Sequence, residues 1–519
     1  MRSNRRHDIF TYAEFDIQGL CRLASSLRQG STCQCDVNQV PKSGSFNWAI
    51  YITFDDGIEW VLRSPHTGYG SISKEISSKL LESEAATLNY VRRNSDIPVP
   101  HVYSYSSTKT NDVGIPYILM SKATGFPLQR VWKSTKSGQT EISAEIKSKV
   151  LFQLGSITFK LSQLRFDCIG SLFEHDGIVQ VGECLSRGHI LHERYSLEDI
   201  PRGPFTSETQ FYDSLIEALI QHAETLPLSH HCFVAPVPRR ELYDSSELYN
   251  EACDLWNDFV TVGCKIDSSD NRLDYIIAGE ALRDIVPKWQ QYLPKLDSNS
   301  FPLCHSDLSV NNIYVDKDYN ITCIIDWAFS SSVPEAMALI PPGLPQSRDE
   351  LHDDLAISFK DGFQTAILKQ AKGIGYLRST TSKLFQQSKC AWSLNRLLNF
   401  DSIDDHGLLS VAWEWIHGSG KDFESYFADR RSLSCNINRY KEIQMEDQPP
   451  EKIDKAERDY FRDDVLKRSI ARSLTVTSQW QLQYDPSHEP RLGRGDLFIA
   501  DSKLWKWVSK VIQEREDAL

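Results

Sequence analysis

The stretch Leu303-Cys-His-Ser-Asp-Leu-Ser-Val-Asn-Asn-Ile-Tyr-Val315, continued by Ile321-Thr-Cys-Ile-Ile-Asp-Trp327, constrains this chain more than any other. Tyr314 and Val315, then Ile321 to Ile325, read as two short strands joined by the Asp316–Asn320 turn. Three polar side chains punctuate these apolar runs: Asp307, Asn312 five residues on, and Asp326 fourteen after that. A hairpin of this length brings Asp326 back to the neighbourhood of Asn312. Asp and Asn are common turn residues, so each alone says little; the three together, between apolar strands, point to chemistry. One amide oxygen and one carboxylate suit a hard divalent cation such as Mg²⁺. Asp307, on the loop before the hairpin, is placed to accept a proton from a hydroxyl nucleophile. Phosphoryl transfer needs such a set, with a metal to neutralise phosphates and a carboxylate to orient the acceptor.

Upstream, Trp48–Phe54 and Ile58–Arg63 flank Asp55-Asp56-Gly57, a strong β-hairpin signal. A helix is expected over 74–93, where Ile76, Leu80, Leu81, Ala85, Leu88 and Val91 recur at helical spacing. It must end before Ile97-Pro-Val-Pro100, because a residue preceding proline avoids the α region. Strands at 101–106 and 117–120 complete a small α+β lobe over residues 1–122, preceded by a short helix within 10–30. The region 123–445 reads as mostly helical, with helices near 146–166, 209–224, 246–262, 275–292, 350–371, 380–399 and 405–416 around the β-rich island at 301–326. Glu446-Asp-Gln-Pro-Pro-Glu-Lys452 reads as a linker to a helical appendage, 446–519, with a helix near 457–474.

Composition narrows the alternatives. With 57 basic against 70 acidic residues, net charge −13, no basic excess drives binding to a nucleic-acid backbone, and no nucleic-acid partner is expected. No run of about 18 apolar residues occurs, so no membrane span is expected. The start, MRSNRRHDIF, lacks the apolar core of a secretory signal. Twelve scattered cysteines read as free thiols, and the expected address is cytoplasmic. Gly68-Tyr-Gly70-Ser-Ile-Ser73 lacks the third glycine of a dinucleotide fingerprint, and Gly418-Ser-Gly420-Lys421 lacks the remainder of a P-loop, with Asp422 in place of Ser or Thr. No G-x-S-x-G elbow or H-E-x-x-H helix is present.

The chain resembles the aminoglycoside phosphotransferase-like family of the protein-kinase-like superfamily, in the manner of its uncharacterised fungal members. Its H-G-D-x-x-x-x-N loop is matched by His305-Ser306-Asp307 and Asn312, and its I-D-W metal motif by Ile325-Asp326-Trp327. The resemblance runs over about residues 15–420. It implies a bilobal α+β kinase-like fold that uses ATP and Mg²⁺ to phosphorylate a small-molecule hydroxyl. Asp307 would be catalytic, and Asn312 and Asp326 would hold the metal. Gly44, in Ser43-Gly-Ser-Phe-Asn47, would lie in the nucleotide-covering loop, where glycine permits close backbone approach. Arg63 would touch the α- and β-phosphates where kinases usually carry lysine, braced by Glu84. Backbone groups from Met120 to Lys122 would hold adenine, and Gly125 would begin the large lobe. His305 would brace the loop by bonding backbone near Asp326. Ser306 in place of glycine requires a backbone without positive φ, and Ala328 stands where many relatives carry an acid. Arg63 and Ser306 also fit an alternative, a nucleotide-binding pseudokinase serving as an interaction module.

Overall fold

The computed structural model describes residues 9–44, 46–66, 72–132, 142–191, 193–225, 245–246, 269–294, 300–345, 352–369, 374–399, 405–418 and 422–446. The chain gathers into two compact units. One takes in residues 1–130, 143–215 and 293–391, the other 131–142, 216–292 and 392–519. The helices expected near 246–262 and 457–474 lie outside the described residues, as do Gly68 to Ser71, Ser419 to Lys421, and the appendage beyond Glu446.

The first unit opens with α1 (Ile17–Leu27), capped by Asp16, whose Oδ1 accepts from the Gly19 N–H at 2.9 Å. Strands β1 (Cys33–Gln34), β2 (Lys42–Ser43), β3 (Asn47–Phe54) and β4 (Glu59–Pro65) come next, then helix α2 (Lys74–Asn94) and strands β5 (Val102–Ser106) and β6 (Tyr117–Ser121). They form an antiparallel sheet in the order β1-β3-β4-β6-β5, with β2 also paired to β3. Side chains alternate across a strand, and that alternation divides two cores. Trp48, Ile50, Ile52, Trp60 and Leu62 are buried with Leu20 and Ala24 of α1. On the other face Ile118 and Met120 meet Leu81, Ala85, Leu88 and Val91 of α2, with Val61 packed against them. Arg63 comes after Leu62 and so lies on the α2 face, opposite Ala49 in the β3–β4 register.

Beyond β6, Gly125 has φ +86°, and a Cβ there would come within 2.2 Å of the Val315 carbonyl oxygen. Only glycine fits between β6 and strand β7 (Phe126–Pro127). Helix α3 (Ala144–Ser162) and strands β8 (Arg165–Phe166), β9 (Leu172–His175) and β10 (Ile178–Val181) precede the short helix α4 (Arg187–Ile190) and helix α5 (Glu208–Thr225). Strands β11 (Phe301–Cys304), β12 (Ile313–Val315), β13 (Ile321–Ile324) and β14 (Ser331–Ser332) build two small sheets, β14-β11-β8 and β13-β12-β7. The hairpin read at 314–325 is therefore present, with Ile313 opposite Ile324. Helix Asp353–Lys369 packs on α3.

In the second unit the helix Ser269–Tyr292 receives Asp405–His417, Phe423–Ser432 and Ser434–Glu446. Glu280 ties the last two to it by accepting from Arg430 at 2.5 Å and Arg439 at 2.8 Å. The last two helices were not anticipated, and the segment expected as one helix over 380–399 is instead Ile374–Gln386 and Ser388–Asn399, interrupted at Gln387. The overall class is as expected: an antiparallel sheet with one inserted helix in the N-terminal region, and helices dominating later.

Candidate active site

Three charged side chains from distant positions meet on the α2 face of the sheet. Arg63, at the end of β4, donates through Nη1 to Glu84 Oε1 of α2 and through Nη2 to Asp326 Oδ1 at 2.5 Å. Glu84 is buried and Arg63 largely so, with side chains 5% and 12% exposed, whereas Asp326 is 41% exposed. The pair is thus sealed on one side and open to a ligand on the other. Burial pushes Glu84 above the ordinary carboxylate range; Arg63 pulls against this, and the Asp326 charge adds to it. Burial works against the Arg63 charge, but Glu84 and Asp326 outweigh it and hold the guanidinium above its usual value. The Trp327 N–H gives Glu84 Oε1 a further donor at 3.2 Å.

Asp326 comes after β13 in the left-handed region, φ +64°, as does Phe329 at +62°. Asp is among the few non-glycine residues that visit that region readily, and such strain gathers at functional sites. Here it turns Asp326 back toward Arg63. Trp327 is buried beneath, its indole donating to the Ile324 carbonyl at 3.0 Å.

The loop between β11 and β12 is bound to this turn by backbone. The Ile325 N–H donates to the Asn312 carbonyl at 2.9 Å, so Asn312 and Asp326 occupy one neighbourhood. The Asn312 side-chain Nδ2 donates to the Asp307 carbonyl at 3.1 Å. His305 Nδ1 accepts from the Asp307 N–H at 3.0 Å, and Nε2 meets the Ile325 carbonyl at 3.1 Å. These two bonds select the Nε2–H tautomer, and burial depresses the imidazole pKa, which keeps it neutral. His305 is the expected brace. Ser306 keeps out of the left-handed region, so the glycine of the motif is dispensable here, and its hydroxyl donates to the Ala328 carbonyl at 2.8 Å.

The donor set fits a hard cation. Asn312 Oδ1 and Asp326 Oδ2 accept no hydrogen bond from the described residues. Among those residues no group of three His, Cys, Asp or Glu could bind a metal. A cation here would rely on two protein oxygens, the manner in which Mg²⁺ is held beside substrate phosphates and water.

The remaining sequence candidates belong to the N-terminal sheet and its edges. Gly44 is exposed at the tip between β2 and β3, its N–H donating to the Asn47 carbonyl at 2.8 Å, and a Cβ there would meet only ordinary contact. Met120 sits inside β6 between Val61 and Val102. Lys122, just beyond, donates to Glu59 and lies 5.1 Å from the Tyr51 ring centroid. A cavity lined by Phe46, Asn47, Arg63, Glu84 and Phe329 opens beside the charged cluster. Phe46 closes edge-on against Phe329 at 5.4 Å between ring centroids.

One residue escaped the sequence reading. Arg187, first in α4, donates through Nη2 to Asp307 Oδ2 at 3.2 Å and lies 5.8 Å from the Phe329 ring centroid. No local pattern pairs positions 120 residues apart. The preceding hairpin that helps place α4, β9 to β10, did carry a signal: Asp176-Gly177, with φ +52° and +78°, between apolar runs.

No protein-family profile matches the chain. Altered inheritance of mitochondria protein 9, mitochondrial, from Debaryomyces hansenii is 30% identical over 136 residues, covering 26% of this chain and 21% of that protein. A subtelomeric hrmA-associated cluster protein of Aspergillus fumigatus is 30% identical over 172 residues, 31% of each. The chain thus spans between a fifth and a third of the length of these relatives. Among solved structures, a macrolide 2'-phosphotransferase from Brachybacterium faecium superposes with TM-score 0.33 at 13% identity, covering 78% of this chain and all of that one. A Plasmodium vivax ethanolamine kinase gives TM-score 0.35 at 13% identity, covering 77% and 83%. The relatives named mitochondrial overturn the expected cytoplasmic address. That expectation rested on scattered free thiols together with the lack of an apolar h-region, which tests for secretion; mitochondrial import reads an Arg-rich, acid-poor amphipathic segment instead.

Proposed function

We propose that the chain is a phosphotransferase that moves the γ-phosphoryl group of ATP, as its Mg²⁺ complex, to a hydroxyl of a small molecule. The observation that carries this reading is the junction of Arg63, Glu84 and Asp326 with the Asp307–Asn312 loop through the backbone of Ile325. In it Arg63, braced by Glu84, binds the α- and β-phosphates. Asn312 and Asp326 hold Mg²⁺, which when bound neutralises phosphate charge. Asp307 orients the acceptor hydroxyl and takes its proton. Gly44 lies in the loop over the nucleotide, and the backbone from Met120 to Lys122 receives the adenine. The names of the fungal relatives support a mitochondrial setting.

Asp307→Ala tests the assignment. Turnover of Mg·ATP in a metabolite extract, followed by mass spectrometry, falls by a factor of about 10² or more while nucleotide affinity is kept. Equal turnover in variant and wild type contradicts it. One observation favours the pseudokinase reading: Arg63 already occupies one oxygen of Asp326. Nucleotide binding without turnover in any extract selects that alternative.

A further inference from the structure

Between Ser300 and Asp316 the loop that carries Asp307 holds no Lys or Arg of its own, and His305 is kept neutral by burial. A cation does meet the Asp307 carboxylate from elsewhere in the first unit: Arg187, at the start of α4. Their side chains are 25% and 23% exposed, so the contact is partly shielded from water and weakly screened. The Asp307 backbone is pinned separately, its N–H by His305 and its carbonyl by Asn312. The loop bonds therefore fix where residue 307 sits, and Arg187 engages the carboxylate itself.

Arg187 is also held from its own side. Phe329, two residues past Trp327, lies under its guanidinium. The carbonyl of the next residue, Gly188, accepts from buried Arg194 at 2.9 Å. Ser186, just before it, bonds His189 Nδ1 at 2.8 Å, and His189 Nε2 meets Ser214 at 2.9 Å. A planar fork on so fixed a base confers direction as well as charge.

We propose that Arg187 is a positioning residue for the transfer step, aiming the Asp307 carboxylate at the acceptor hydroxyl; this rests on the phosphotransferase reading above. In that step the acceptor oxygen bonds to the γ-phosphorus as the bond to the β,γ-bridging oxygen breaks. The electron pair leaves on the nucleoside diphosphate, and the hydroxyl proton passes to Asp307. Arg187 touches none of the reacting atoms and acts through the carboxylate.

The test is a double-variant cycle on the full chain, with Mg·ATP and water as the acceptor probe, alongside fluorescent-nucleotide binding. Arg187→Gln lowers kcat about 10²-fold, the scale of a misplaced catalytic group, with nucleotide Kd within about twofold. Arg187→Lys recovers part of the rate, as does free guanidinium added to Arg187→Gln. Combined with Asp307→Asn, the Arg187→Gln change costs no further rate, because its route runs through a carboxylate already lost. Wild-type kcat in Arg187→Gln, multiplicative losses in the double variant, or a loss confined to nucleotide Kd overturns the proposal. If Arg187→Gln does not fold, Arg187→Lys and its double with Asp307→Asn carry the same comparison. Failure of the phosphotransferase reading looks different: wild type itself then shows no turnover, whether or not it binds Mg·ATP.

Discussion

Arg63 carries the sharpest consequence at the scale of single residues. Its guanidinium bridges Glu84 and Asp326, so one substitution perturbs both a buried brace and an open carboxylate. Removing one partner of a buried pair costs about 3–5 kcal/mol. Glu84→Gln keeps the shape and leaves Arg63 with Asp326, so a loss at the lower end, about 3 kcal/mol, is expected in urea denaturation. Arg63→Lys keeps charge but a lysine offers no planar fork to span both carboxylates, so the variant stays folded and loses nucleotide affinity about tenfold. An unchanged midpoint for Glu84→Gln would show that the pair adds nothing to folding. The motif residues Asp307, Asn312 and Asp326 were legible because they cluster within twenty residues of sequence. The Arg63–Glu84 pair needed the family resemblance, since a charged residue ending a strand and a glutamate on a helix are ordinary by themselves. Arg187 was illegible: nothing near it in sequence distinguishes it from any other surface arginine.

At the scale of elements, the hairpin β3–β4 and helix α2 came directly from periodicity and turn chemistry, and their bounds agree within a residue or two. The β9–β10 hairpin was overlooked although its Asp176-Gly177 turn obeys the rule applied at Asp55–Gly57. Its strands are four residues each, too short to stand out against a helical background. Helix α4, the next element along the chain, has a pH signature. Its His189 is buried, and desolvation depresses the imidazole pKa to about 3, with Arg202 and Arg194 adding to the effect. The unfolded chain, with an ordinary imidazole near pH 6.5, therefore binds more protons than the folded one between about pH 3 and 6.5. Stability must fall as pH drops through that window. Between pH 7 and 5 this group alone accounts for about 2 kcal/mol, at ~1.4 kcal/mol per pH unit below 6.5. Urea midpoints measured at both values show a smaller difference in His189→Gln than in wild type; an identical difference would remove His189 from the account.

On the scale of the whole molecule, the site is assembled from segments that lie far apart in sequence yet within one compact unit. Arg63 and Asp326 stand 263 residues apart, and Arg187 and Asp307 stand 120 apart. Local pattern specifies each segment, while the sheet order and the backbone bond from Ile325 to Asn312 decide which segments meet. That division explains why the class of the fold and the motif loop could be read from sequence, and why the cation beside Asp307 could not. The central claim is that Asn312 and Asp326 form one end of a magnesium–nucleotide site whose other end is Arg63. A crystal structure of the full chain grown with Mg²⁺ and a non-hydrolysable ATP analogue tests it most directly. The account predicts a cation about 2.1 Å from Asn312 Oδ1 and from an Asp326 oxygen, with Arg63 on the α- or β-phosphate. A nucleotide bound without either residue, or Mg²⁺ held by other side chains, contradicts it.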